Sequence, residues 1–257
     1  MNKLLLIFPK SVNKINLKVG ISAVDIEGAK NNVLNEIPNW NFEEIKNNAN
    51  SLWENELNKI YFKTRDQEVM TNFYTALYHS YLNPNLFNDY DARYRGRDNK
   101  IHTLNGSTGR NYSVFSLWDT YRATHPLFTL LQTNRTNEFI NTFLRQFDQG
   151  GDLPVWDLAA NETECMIGYH SVSVIADAFT KGISNFNIEE AIEAMVATSN
   201  FNEFGKHEFS KNGFISTGKE PESVSKTLEY AYDDFCIAQM LKKYKITTGS
   251  SKYDSLY

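Results

Sequence analysis

The chain has 257 residues, of which 41% are apolar, 14% aromatic and 22% charged, with a mean hydropathy of −0.47, and this mix is that of a globular protein able to bury a core. A formal net charge of −5 and a pI near 5.6 leave no basic surplus to neutralise phosphates, so nucleic acid and anionic membrane surfaces are disfavoured as partners. The apolar run at 4–8 is too short for the core of a signal peptide, and no apolar run approaches the roughly 18 residues of a membrane span.

In chain order, residues 15–24 (INLKVGISAV) are rich in β-branched side chains and alternate in part, which predicts a strand with no partner nearby, as if it ended a β-structure. From Asn41 the period turns helical. Asn41 and Glu44 form a capping-box pattern, and Phe42, Ile45, Ala49, Leu52, Trp53, Leu57 and Ile60 follow at three-and-four spacing. A second helix is predicted over 67–82, stopping before Pro84. Residues 85–112 carry no helical period and are rich in Asp, Arg, Gly, Tyr and Asn; a loop of that length within a compact domain is usually functional. Further helices are predicted over 114–132, 137–147, 163–181, 188–198 and 222–244, with a polar loop at 151–161 and a polar tail from 247. Helices in pairs, separated by long aromatic and acidic loops, point to a helical toroid or solenoid rather than a four-helix bundle, although no sequence repeat is present. The two cysteines, Cys165 and Cys236, lie far apart in unlike contexts and read as core thiols.

Three segments concentrate chemistry. On the helix predicted over 114–132, Phe115, Trp118, Asp119 and Arg122 share one face, which suits a sugar: an aromatic platform for its apolar face and bidentate Asp or Arg contacts to its hydroxyls. An internal Asp–Arg pair beside a core Trp accounts for the same pattern equally well. Residues 151–170 gather Asp152, Asp157, Glu162, Glu164 and His170 around Trp156, a density that can bind Ca²⁺ or perform acid–base work, or simply cap a helix through Asn161 and Glu164. His170 has no partner one turn away, the usual mark of a hydrogen-bonded core histidine. On the last helix Glu229 and Asp233 stand one turn apart among Leu228, Ala231, Phe235 and Ile237, costly unless paired or functional, or else part of a solvated acidic stripe. No Walker loop, GxGxxG, GxSxG or HExxH string occurs.

The strings SVFSLWDTYRATHPLFTLLQ (113–132), DLPVWDLAANETECMIGYHSVSVIADAFTKGI (152–183) and SVSKTLEYAYDDFCIAQMLKKY (223–244), with FYTALYH (73–79) and VGIS (19–22), closely resemble, in order, motifs of glycoside hydrolase family 92, the calcium-dependent exo-acting α-mannosidases. The resemblance implies an N-terminal β-sandwich followed by an (α/α)6 barrel, and hydrolysis of terminal α-linked mannose, often α-1,2, from N-glycans with inversion. It places the catalytic acid in an EGNxW-type motif, the base in a GNDDCG-type motif and calcium at a GNEP-type segment, and none of these strings occurs here. The expected fold is therefore mainly α, an incomplete (α/α)6 barrel preceded by the last strand or strands of a β-sandwich, with residues 1–38 the sandwich tail and linker and 39–257 the first half of the barrel.

By motif position the resemblance implies that Trp118, Asp119, Arg122, Glu162 and His170 bind or underlie the mannose, and it assigns no catalytic residue and no metal ligand within the chain. Calcium remains implied as a cofactor through other residues, and a mannose-containing glycan is the implied partner. Ala160 departs from the glycine usual before Asn-Glu-Thr. The family is commonly exported, whereas no signal is legible at this N-terminus. One alternative is a catalytically inactive mannose-binding remnant; another is a lyase or epimerase on a helical toroid with Tyr121 or His170 as base. A half-barrel is expected to leave apolar helix faces exposed.

Overall fold

The structure is a computed structural model that describes residues 4–104 and 109–256. No strand forms over 15–24, because no neighbouring strand is available to pair with that segment among the described residues. The first regular element is instead a helix, α1 (Ile26–Glu36), started by Asp25, whose carboxylate accepts the Gly28 N–H at 2.6 Å. Pattern reading passes over α1 because the helix buries only Gly28 and Asn32 and carries no apolar stripe. Polar bonds hold it: Asn32 and Ser22 donate to the two oxygens of buried Asp89 at 2.8 and 2.6 Å. Gly28 permits that approach, since a Cβ there would lie 2.2 Å from Asp89 Oδ2.

Helices α2 (Phe42–Leu57) and α3 (Gln67–Ser80) form where the periodicity predicts them. Asn41 accepts the Glu44 N–H at 3.2 Å, and Asp66 accepts from Glu68 and Val69. The pair sits at the margin of the fold. No α2 residue is buried and α3 buries only Leu77, although Trp53 meets Tyr78 at a ring-centroid distance of 4.5 Å. The expected loop at 85–112 contains two antiparallel pairings: β1 (Asn85–Leu86) with β4 (Tyr112–Ser113), and β2 (Arg93–Arg95) with β3 (Ile101–Thr103). Residues 105–108 of that expected loop lie outside the described residues.

The single helix predicted over 114–132 is divided. Val114 adopts φ +68°, so Phe115 and Ser116 form a strand, β5 (Phe115–Ser116), followed by a one-turn helix α4 (Leu117–Thr120) and then α5 (Thr124–Leu131). β5 pairs antiparallel with β6 (Trp156–Leu158), and β6 with β7 (Asn161–Glu162), which turns the expected 151–161 loop into a small three-stranded sheet. Between them α6 (Thr133–Gly150) ends at Gly151, which takes the left-handed conformation at φ +90°. The helix predicted from 163 begins only at Ser171, as α7 (Ser171–Thr180), because Glu164, Met166 and Gly168 all have positive φ. The Asn161–Glu164 cap consequently does not form; the Glu164 N–H goes to the Glu162 carboxylate at 2.9 Å. Helices α8 (Ile188–Ser199), α9 (Lys206–Asn212) and α10 (Ser223–Thr248) complete the fold, with a short 3₁₀ turn at Asp254–Leu256.

The core lies in the C-terminal two-thirds. Helix α7 is buried almost all round, through Val172, Val174, Ile175, Ala176, Ala178 and Phe179, and packs on α10, α5 and α6, while α8 packs on α6 and α10. Phe115, Phe139, Phe143 and Tyr112 interlock edge to face beside it. α10 leaves Val224, Leu228 and Phe235 exposed along one side, the open apolar face expected of an incomplete barrel. Cys236 is buried as expected, whereas Cys165 is exposed, carried outward by the left-handed stretch before α7. Among the described residues no helix is long and apolar enough to cross a membrane.

His125 on α5 is buried among Phe128 and Phe139 with Nδ1 unpartnered, and burial pushes its pKa down to about 4. Its folded pKa lies below its unfolded value near 6.5, so the neutral ring's contribution is fully present above that value and is lost as pH falls toward 4. Comparing denaturant unfolding at pH 7 and pH 4.5 should show His125→Leu losing less stability on acidification than the wild type, by on the order of 2–3 kcal/mol; equal losses would remove His125 as the cause.

Candidate active site

The side chains singled out on the 114–132 segment converge on one carboxylate. Trp118 Nε1 donates to Glu229 Oε1 at 3.2 Å and Arg122 Nη2 donates to the same oxygen at 3.0 Å. Tyr121 donates its hydroxyl to Glu229 Oε2 at 3.1 Å. His170 Nε2 lies 3.2 Å from Oε2, out of line for a hydrogen bond. Four side chains from α4, its C-terminal edge and the start of α7 thus surround one residue of α10.

Behind this first carboxylate stands a second. His170 Nδ1 lies 2.8 Å from Asp233 Oδ1, and Asp233 Oδ2 accepts the Tyr169 N–H at 2.7 Å. Both partners are out of solvent, at 1% and 0% side-chain exposure. Burial pushes the Asp233 carboxyl up, and the His170 ring and the Tyr169 N–H draw it back. The Tyr121 ring stacks on the His170 imidazole at 3.9 Å with 16° between planes, and the Arg122 guanidinium covers the Tyr121 ring at 4.6 Å. Burial, then the Glu229 charge, pushes the Tyr121 hydroxyl up to about 12, so it remains a proton donor at neutral pH. Further along the same wall Tyr169 donates to Asp234 at 2.6 Å, and the buried Lys206 ammonium sits 4.5 Å over the Tyr169 ring, donating to the Thr198 carbonyl.

The other expected site residues are placed differently. Asp119 is exposed and bonded to the Ser116 hydroxyl. Glu162 is a staple: its carboxylate accepts the backbone N–H groups of Val155, Trp156, Thr163 and Glu164 at 2.8–2.9 Å. Those bonds hold the loop between β6 and α7, so the Glu162 carboxylate serves the backbone, and His170 is buried against Asp233. Arg97 ties Glu164 of the same loop, at 3.7 Å, to Asp152 ahead of β6, at 2.8 Å. Burial and then the charges of Glu162 and Asp152 push Glu164 up to about 7, and burial pushes Asp157 on β6 up to about 6. Among the described residues no three His, Cys, Asp or Glu side chains are gathered to hold a metal ion. A cavity of about 740 Å³ lies elsewhere, between Trp53, Tyr81 and Arg135, and shares no residue with this cluster.

A model of the glycosyl hydrolase family 92 catalytic domain matches residues 28–255. The chain belongs to glycosyl hydrolase family 92. Among solved family 92 structures, it superposes with TM-score 0.83 and 46% identity on an α-mannosidase from Bacteroides thetaiotaomicron, covering 86% of this chain and 30% of that one. An inverting mannosidase from Bacteroides thetaiotaomicron VPI-5482 matches with TM-score 0.80 and 29% identity, over 92% and 33% of the two chains. In sequence it is 26% identical to a protein of Arthroderma benhamiae described as a secreted glycosidase, over 89% of this chain and 28% of the relative. The chain thus spans about a third or less of the length of these relatives, and its helices form part of an (α/α)6 barrel.

Of the family 92 cluster, the spacing of Trp118 and Arg122 is readable along the chain, and so is the pair of acids on an apolar helix. The partnership between them is not, because it spans more than a hundred positions. Tyr121 and Gly168 go unmarked as packing residues. Gly168, at φ +83°, lies against His170: a Cβ there would sit 2.4 Å from Nε2. Gly168→Ala should therefore push the imidazole off Tyr121 and destabilise the fold by about 1–3 kcal/mol, read by chemical denaturation; a loss below about 0.5 kcal/mol would show that the loop gives way freely.

Proposed function

We propose that this chain supplies the mannose-recognising wall of an exo-acting α-mannosidase that removes terminal α-linked mannose, often α-1,2-linked, from N-glycans by inversion. The observation that carries the reading is the mouth of the cluster. There the half-buried Trp118 ring and the half-exposed Arg122 guanidinium share Glu229, and the exposed Asp119 carboxylate follows Trp118 on α4. An indole can face the apolar side of a pyranose while a carboxylate and a guanidinium take paired hydroxyls. Support also comes from the relatives: one Bacteroides α-mannosidase is known in complex with mannoimidazole, and another is described as inverting.

Inversion requires two carboxyls roughly 6.5–9.5 Å apart with a water between them, one acting as acid and the other as base. The carboxylates behind the mouth are otherwise engaged. Both Glu229 oxygens face protein donors, Asp233 is sealed, and Glu162 is filled by backbone N–H groups. The reading is therefore of a chain that recognises mannose without hydrolysing it unaided. These same carboxylates do not suit calcium, which needs six to eight oxygen ligands free of competing donors.

Isothermal titration of the 257-residue chain with methyl α-mannoside should show binding that falls about tenfold or more in Trp118→Ala and in Asp119→Ala, a change of roughly 1.4 kcal/mol each. Binding that survives both substitutions would overturn the site. Incubation with α-1,2-mannobiose and calcium should release no mannose, and sustained turnover would refute the assignment of recognition without catalysis. Adding calcium or a chelator should leave the Tm of the chain unchanged, whereas a calcium-dependent rise would reveal a site that the described residues do not form.

A further inference from the structure

We propose that Glu229 is a positioning residue of the mannose site: it fixes the orientation of Trp118 and Arg122 and takes no part in proton transfer. The inference rests on the reading of Trp118 and Arg122 as sugar contacts. Helix α4, which carries Trp118, is a single turn with no side-chain hydrogen bond at its N-cap. A helix that short has no stability of its own, so long-range bonds must set its direction. They come from α10. One Glu229 oxygen fixes the Trp118 indole edge and the Arg122 guanidinium, and the other takes Tyr121.

The aromatic stack completes the arrangement. His170, Tyr121 and Arg122 lie in successive layers, and Glu229 meets the edge of each. Asp233, one helical turn beyond Glu229, secures the innermost layer through His170 Nδ1. The two acids on α10 thus bracket the stack, one at its base and one along its side. With three protein donors already on its two oxygens and a side chain only 15% exposed, Glu229 is spent on holding its neighbours rather than on a leaving group or a water. What it offers the sugar is the pose of its neighbours.

The test uses the full chain, labelled with ¹⁵N. Trp118 gives one of four indole N–H resonances, identified by its loss in Trp118→Phe. Glu229→Gln should shift that resonance and leave the indoles of Trp40, Trp53 and Trp156 in place; an unmoved Trp118 signal would overturn the anchoring. In parallel, methyl α-mannoside affinity should fall about tenfold in Glu229→Ala, and by less than about twofold when the same change is made in Trp118→Ala. Combined with Asp119→Ala, whose carboxylate Glu229 does not touch, the two losses should multiply. Full multiplicativity with Trp118→Ala would overturn the positioning role. If the wild-type chain binds no methyl α-mannoside, the recognition reading fails and the role toward mannose fails with it, while the indole shift reports the anchoring separately.

Discussion

Two carboxylates one turn apart on α10 bind the molecule's parts into a single arrangement. In an otherwise apolar environment each would be costly to desolvate, and each is compensated by donors from a different part of the chain: Glu229 by the α4 region and Asp233 by the residues that begin α7. Most of those donors lie more than sixty positions away in sequence. The pairings therefore specify which face of α10 meets which loop, a task that interchangeable apolar contacts between helices perform poorly.

That electrostatic specification works together with an unusual core. Helix α7 is enclosed by α5, α6 and α10, so a rigid centre sits next to the cluster, while the outer side of α10 remains apolar and open. The loop that delivers His170 to the cluster is braced at several points. Glu162 collects four backbone N–H groups, Arg97 ties the loop to Asp152, and Gly168 makes room for the imidazole. Several residues of this loop adopt positive φ without being glycine, among them Ala159, Ala160, Glu164 and Met166. Such conformations cost of order 1–3 kcal/mol each and persist only where the surroundings over-determine them. Ala160 is one of these positions, and it adopts the left-handed conformation that a glycine would enter freely.

How much of this was legible along the chain depended on the range of the interaction. Helices α2, α3, α8 and α10 form close to their expected bounds; Asn41, Asp66 and Asn187 cap the first three within one turn, whereas α10 starts without a side-chain cap. Helix α1 escapes pattern reading because polar bonds to Asp89, not an apolar face, hold it. The segment from Val114 to Leu131 resembles a single helix in its periodicity, but β6, more than thirty residues downstream, draws Phe115 and Ser116 into a strand. In the site, Trp118, Asp119 and Arg122 are recognisable by type and motif, whereas the stack of His170 on Tyr121 and the convergence on Glu229 emerge only when α7 and α10 close on α4. Glu162 shows the converse: a conspicuous acid in a recognised motif whose oxygens serve the backbone.

The marginal position of α2 has a consequence for how the molecule comes apart. With no buried residue on α2 and only Leu77 buried on α3, this hairpin can detach at little cost in apolar contact, while α7 cannot leave without dissolving the core. Opening is thus hierarchical, and amide hydrogens of residues 42–57 should exchange with solvent through sub-global events that leave α6, α7 and α10 protected. The hairpin and the helical core then behave as separate cooperative units within one continuous chain.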